Sequence, residues 1–264
     1  MGLKFGRKPR LFGPGFPHYS ALKYMLAAPL PSPPSSVDWT GKLPDDLGVM
    51  LNDSLGCCVE SAFYHGVQLW SSVAKGAPVT EPDAKVELLY ELAAGYNPAD
   101  PSTDQGSDMQ TTLAYLLNHG TPTSPSARTP DRLLAFVEVD PANQEDIQRT
   151  IDDCGVAYIG FNVPQWFADQ LDNGTPPQVW DVDPAGDQTI VGGHCVILPG
   201  YQTDGTYGVI SWGSKDYGMT PAFFSQFVDE VYAPVNDAWL GATGKTPLGL
   251  SLATLEAQMQ ALKV

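Results

Sequence analysis

The sequence is poor in cysteine and contains no long apolar run. Four cysteines in 264 residues are too few for a scaffold stabilised by disulfides. The longest apolar runs, such as 156–161, have the length of a strand and fall far short of the roughly 20 residues of a membrane-spanning helix. We therefore expect no membrane partner. The ten Phe, eleven Tyr and six Trp instead predict a folded chain with a buried core.

Basic residues are also scarce, because 14 Lys and Arg stand against 30 Asp and Glu and give a net charge of −16. Such an acidic chain would repel a phosphate backbone, so we expect no nucleic-acid partner. The exception is the basic tip, where Lys4, Arg7, Lys8 and Arg10 lie close together without an acid. A charge run of this kind predicts either docking on an acidic surface or a solvated terminus.

The N-terminus lacks the continuous apolar segment of a secretory signal, because Gly13, Pro14 and Pro17 interrupt it. We therefore expect a cytoplasmic or virion-associated protein in a reducing compartment, with its cysteines unpaired.

The chain divides into four parts by composition and periodicity. Residues 1–36 form an extended arm rich in Pro and Gly, which either the body of the chain or a protein partner would hold in place. Residues 37–125 carry three apolar patterns of helical spacing, at 58–75, 82–95 and 107–119. Residues 126–233 contain one helical segment, 142–153, and strand-like segments at 156–161, 193–198 and 207–212. Residues 234–264 form a tail with a short amphipathic helix from Leu252 to Leu262. Helices followed by strands predict an α+β fold, with a cleft between two lobes.

Cys58 is the first candidate for chemistry, because it begins the predicted helix 58–75 directly after a turn. The free N–H groups and the dipole of a helix N-terminus stabilise a thiolate there, which is the nucleophile of covalent acyl transfer. Taken alone, the residue is more simply a buried structural cysteine. Cys57 remains an alternative, since adjacent helical residues diverge by about 100° and only one can face a cleft.

His194 is the candidate base, at the head of an apolar strand after two glycines. His65 lies about 10 Å along the same helix as Cys58, too far for proton transfer. Cys58 and His194 are 136 residues apart, within the roughly 130–150 residues that separate the pair in papain-type enzymes.

At these residues the sequence resembles the papain-like cysteine peptidases, in a divergent branch encoded by bacteria and phages. The matching segments occur in the family's order at 37–39, 52–58, 104–120, 145–161, 193–194, 200–201 and 211–213. The resemblance implies a papain-like fold with a helical and a β-rich lobe and the site in the cleft between them. It implies Cys58 as nucleophile, His194 as base and Asn52 as the oxyanion amide, at the position of the family's glutamine, with no cofactor and no metal.

Three departures from the family pattern affect the expected site. Ile210 stands where the family has the asparagine that orients the histidine, and isoleucine cannot hydrogen-bond to an imidazole. The tautomer and tilt of the ring would then lack their usual constraint, which leaves both a competent and an impaired enzyme open. Leu55 and Ser107 replace two cysteines of a family disulfide. The arm of 36 residues is shorter than the family's inhibitory prosegment.

These observations leave three hypotheses. The first is a thiol peptidase that acts on a peptide or protein substrate through Cys58 and His194. The second is a catalytically degenerate papain fold used as a structural or docking protein, plausibly in a phage virion. The third is a zinc site formed by Cys57, Cys58, His194 and Cys195, which is disfavoured because adjacent cysteines poorly ligate one tetrahedral ion.

Overall fold

The structure is a computed structural model that describes residues 4–9, 32–122, 131–172, 176–240, 245–246, 249, 251 and 253. Most of the arm and the amphipathic helix expected in the tail lie outside the described residues. No helix in the described part of the chain is long and apolar enough to cross a membrane.

Helices dominate the first half of the described chain and strands the second, which confirms the expected α+β class. The helices are α1 (Cys58–Lys75), α2 (Asp83–Ala94), α3 (Met109–His119), α4 (Gln144–Cys154), α5 (Gln165–Asp172) and α6 (Pro221–Phe227). The first four coincide within two residues with the predicted helical segments. The last two are only eight and seven residues long, too short to give a clear helical period.

The strands form one twisted sheet. They are β1 (Val37–Asp38), β2 (Leu133–Glu138), β3 (Ala157–Pro164), β4 (Val179–Trp180), β5 (Ile190–Tyr201), β6 (Tyr207–Ser211), β7 (Ser214–Met219) and β8 (Val228–Asn236). Their order is β2-β8-β3-β5-β6-β7-β4, and β1 pairs with β5. The expected strands correspond to β3, β5 and β6.

The long strand β5 divides the core into two layers, because its successive side chains point to opposite faces of the sheet. Cys195 and Ile197 belong to the cluster between the sheet and the helices α1 to α3. Val196 and Leu198 belong to the cluster on the other face. Helix α1 packs directly against β5, and Cys58 at the start of this helix is hydrogen-bonded by the backbone of Cys195 in this strand.

Candidate active site

Cys58 is buried where α1 begins, and its sulfur is hydrogen-bonded by the backbone of Gly6 and of Cys195. Burial raises the pKa of the Cys58 thiol to about 12, although these hydrogen bonds and Arg7 oppose the shift. The Cys57 sulfur instead lies 3.6 Å from the Met50 carbonyl oxygen. Cys58 is therefore the cysteine that faces β5 and the arm.

His194 is fully buried on β5. Its Nε2 lies 2.9 Å from the Ser211 hydroxyl oxygen, and its ring stacks on Trp212 with centroids 4.5 Å apart. Its Nδ1 has no hydrogen-bond partner among the described residues. Burial, with a smaller contribution from Arg7, lowers the pKa of His194 to about 3. The ring is thus neutral at physiological pH, with one nitrogen held by a hydroxyl.

Ile210 does not replace the family's asparagine as a partner of the imidazole, but another residue of the same strand does. Ile210 is buried in the helix-facing layer of the core, while the next residue of β6, Ser211, turns its hydroxyl to His194. Because side chains alternate along a strand, the residue after Ile210 could have been recognised as a possible partner. Ser211 and Trp212 together fix the tilt of the ring.

Asn52, the expected oxyanion amide, is buried in the turn that precedes α1. Met50 and Leu51 adopt positive φ angles of 54° and 64°, which side chains rarely accept. This strained turn aims the Asn52 amide inward, where Nδ2 donates to the carbonyl oxygens of Lys4 (3.3 Å) and Leu55 (3.4 Å). The Asn52 amide therefore already donates a hydrogen bond to a backbone carbonyl of the arm.

Residues 4–9, which we call the arm segment, run extended between the helical and the β-rich parts of the chain. On one side the Ser107 N–H donates to the Gly6 carbonyl (2.7 Å), and the Lys8 N–H donates to the Ser107 carbonyl (2.8 Å). On the other side the Arg7 N–H donates to the Gly193 carbonyl (3.0 Å). The described part of the arm is thus bound by the chain's own body. The six described residues of this segment are enough to reach both Asn52 and Cys58.

Glycines allow this close approach of backbones. A Cβ atom at Gly6 would lie 1.7 Å from the Gly56 carbonyl oxygen, and one at Gly106 would lie 2.0 Å from the Gly6 carbonyl oxygen. A Cβ atom at Gly193 would lie 2.6 Å from the Arg7 carbonyl oxygen. These distances are far below van der Waals contact, so the arm segment fits only because side chains are missing on both sides.

The Arg7 side chain is buried, and it docks on acidic residues of the chain itself. Its guanidinium nitrogens lie 2.9 Å from Asp229 Oδ1, 3.1 Å from Glu230 Oε2 and 3.1 Å from Asn162 Oδ1. Docking was one of the two expectations for the basic tip. Its three partners were missed, since nothing in their local sequence distinguishes them from other polar residues near a strand.

The zinc alternative does not fit the geometry. Among the described residues, which include all four expected ligands, no three His, Cys, Asp or Glu side chains are grouped so that they could hold a metal ion. The Cys57 sulfur is turned toward Met50 and Ser61. All four cysteines are free and buried.

Comparison by sequence matches no family model and no curated protein, but the fold is similar to that of solved cysteine proteases. Xylellain, a cysteine protease from Xylella fastidiosa, gives a TM-score of 0.64 at 16% identity, over 88% of this chain and 96% of that chain. Digestive procathepsin L 3 from the larval midgut of Tenebrio molitor gives 0.56 at 11% identity, over 89% and 76%. A procathepsin B from Trypanosoma congolense gives 0.55 at 12% identity, over 89% and 87%. The chain therefore has the papain-like fold that its sequence resemblance implied.

Proposed function

We propose that the chain is a papain-type thiol peptidase whose cleft is closed by its own arm. One observation carries the proposal: a single extended peptide segment touches all three expected site residues. The Lys4 carbonyl accepts from Asn52, the Phe5 ring lies 5.8 Å from the His194 ring, and the Gly6 backbone is hydrogen-bonded to Cys58. A thiol, an imidazole and an amide that share one bound peptide form a site suited to peptide chemistry.

The residues would act as follows on a substrate that replaces the arm. The Cys58 thiol loses its proton to His194 as the sulfur attacks the peptide carbonyl carbon, and Asn52 donates to the developing oxyanion. The C–N bond then breaks, the amine leaves with the proton from the imidazole, and a thioester remains on Cys58. Water hydrolyses the thioester and restores the thiol. Ser211, by holding Nε2, leaves Nδ1 available to carry the proton.

The described state is a resting state. The arm excludes water from both reacting groups, and burial keeps the thiol and the imidazole neutral. Departure of the arm would hydrate the site, lower the pKa of Cys58 and raise that of His194 toward their ordinary values. Proton transfer between them becomes easier as the two pKa values approach each other.

The test is covalent labelling with a peptidyl epoxide, followed by peptide mapping, in the full-length chain that carries Gly6→Ala, because the added methyl displaces the arm from Cys58. We expect label on Cys58, no label in Cys58→Ala, and unchanged labelling in Cys57→Ala. Hydrolysis of casein between about pH 5 and 8 should be lost in the same Cys58→Ala variant.

The same experiment tests the docking alternative. If Cys58 remains unlabelled and casein uncut even after the arm has been displaced, the peptidase proposal is wrong and a structural or docking role is favoured. Membership of a virion stays a prediction of the sequence. Its test is whether the protein is found in purified particles.

A further inference from the structure

The partners of Arg7 form a pocket that belongs to the β-rich part of the chain. The Arg7 side chain is 1% exposed and that of Glu230 is 0% exposed. Nη1 bonds to Glu230, and Nη2 is shared between Asp229 and Asn162. We call Asn162, Asp229 and Glu230 the acidic pocket. The Asp229 side chain is 38% exposed, so Glu230 is the carboxylate whose burial without a counter-charge would be costly, and the pocket therefore favours a cation.

The body of the chain builds this pocket without help from the arm. In the pairing of β3 with β8, Gly160 lies opposite Glu230 and Phe161 lies opposite Val228, so Asp229 is the extra residue of a bulge. The bulge lets two consecutive carboxylates reach the same place. The Asn162 amide donates to Asp229 (3.0 Å), and the Tyr232 hydroxyl donates to Glu230. These contacts hold the acceptors in position.

The pocket's charge and shape favour arginine over lysine. Two carboxylates face one guanidinium, and an empty pocket would leave the buried Glu230 without a counter-charge. Its acceptors sit at three separate positions, which suits the planar fork of a guanidinium better than the point charge of an ammonium. Gly160 makes room for the stem, since a Cβ atom there would lie 2.5 Å from Arg7 Cδ.

The size of the residue before the arginine, Gly6, is restricted as strongly as the choice of arginine itself. Gly6 passes between Gly56 and Gly106, and its ideal Cβ position falls 1.7 Å from a backbone oxygen and 2.1 Å from the carbonyl carbon of Gly56. Backbone atoms cannot swing aside as a flexible side chain can. Any residue larger than glycine at position 6 would therefore force the bound peptide out of the space between Gly56 and Gly106.

We propose that the cleft is a binding site for peptides that contain Gly-Arg, with the glycine between Gly56 and Gly106 and the arginine in the acidic pocket. In the closed state the chain's own Gly6 and Arg7 occupy this site. Selection of substrates or competing inhibitors through this site rests on the proposed peptidase function, whereas the binding itself does not.

The test uses the full-length chain with Gly6→Ala and Arg7→Ala, which vacates the site, and a labelled peptide Lys-Phe-Gly-Arg-Lys-Pro read by fluorescence polarisation. We expect this peptide to bind. A peptide with citrulline for arginine, which keeps the shape but loses the charge, should bind about 10- to 100-fold more weakly. A peptide with lysine should fall between the two, and one with alanine for glycine should show no binding.

A body-side variant links the preference to the pocket. Glu230→Gln in the same background should weaken binding of the arginine peptide but leave binding of the citrulline peptide unchanged. The control variant Glu87→Gln, in the half-buried part of helix α2, should alter neither. Equal affinity for the arginine and citrulline peptides would overturn the proposal. So would the absence of peptide binding to a double variant whose Cys58 has become accessible to a small alkylating reagent. A double variant whose Cys58 stays shielded from that reagent would also contradict it, because the arm would then bind without either selective residue.

The two proposals fail in different ways. Selective binding without cleavage of any peptide contradicts the peptidase function and supports the pocket. Cleavage with no preference for Gly-Arg supports the peptidase and contradicts the pocket.

Discussion

Ser211 is the side chain through which the structure constrains His194. The His194 Nε2 and the Ser211 hydroxyl lie within hydrogen-bond distance. In the tautomer that carries its single proton on Nε2, the ring donates to this hydroxyl and keeps its lone pair on Nδ1. Trp212 covers the face of the same ring. Ser211 and Trp212 thus orient the His194 ring, the task that the asparagine performs in the family pattern.

Replacement of this hydroxyl should slow the chemistry of Cys58. We expect Ser211→Ala, made in the Gly6→Ala background, to reduce epoxide labelling about tenfold, since an unsatisfied buried polar group costs roughly 1–3 kcal/mol. Ser211→Thr, which keeps the hydroxyl, should restore the rate. The readout that separates orientation from packing is the pH profile of labelling, whose midpoint should move in the alanine variant only. An unmoved profile would mean that Ser211 does not hold the ring.

The arm segment and the turn before α1 interact as two elements of backbone. Their contact at Gly6 and Gly56 leaves no room for a methyl group. Hydrogen bonds to Ser107 and Gly193 hold the segment on either side. Closure of the cleft therefore depends on backbone fit as much as on the ion pairs of Arg7.

Gly6→Ala should open the cleft. The added methyl must displace the arm segment from Gly56, so we expect Cys58 to react with a small alkylating reagent about tenfold faster or more. Gly41→Ala is the matched control, since a Cβ atom there meets nothing within 4 Å. The measurement is the rate of mass increase on the peptide that contains Cys58. Equal rates in the two variants would show that the arm does not limit access.

The elements that the sequence predicted are those with strong local signals. Helix α1 has apolar residues at helical spacing and a glycine stop, and β5 has a long apolar run, so the positions of Cys58 and His194 in these elements followed from the pattern. Helix α5 spans only eight residues and strand β7 shows no alternation of buried and exposed residues, so the local pattern did not identify either element. The arm's place in the cleft depends on glycines far apart in sequence, which no local pattern connects.

At the scale of the whole molecule, buried titratable groups make stability depend on pH. Burial raises the pKa of Glu60 to about 7, although Ser107 and Thr112 donate to it. Between about pH 4.5 and 7 the Glu60 carboxyl therefore keeps its proton in the folded state, whereas in the unfolded state, where its pKa has the ordinary value of 4.5, it loses the proton. Stability from this group is therefore present at low pH and falls as pH rises from about 4.5 to 7.

Glu60→Gln should remove this dependence. We expect the variant to be more stable than the parent at pH 8 by a few kcal/mol, on the order of the shift converted at about 1.4 kcal/mol per unit, and to differ little at pH 4.5. Urea unfolding at both pH values measures the difference, with Glu87→Gln on helix α2 as control. The same small difference at both pH values would mean that Glu60 is ionised in the folded chain.

Gly6 of the arm segment contacts Gly56 and Gly106 of the body, and all three residues belong to the same polypeptide chain. A mutation that enlarges Gly56 or Gly106 can be compensated only by a change in the arm segment of the same chain. Across homologous chains we therefore expect these three positions to vary together or not at all. A cleft that comes to prefer another peptide would then need matching changes in the arm segment, because the arm segment occupies the same site.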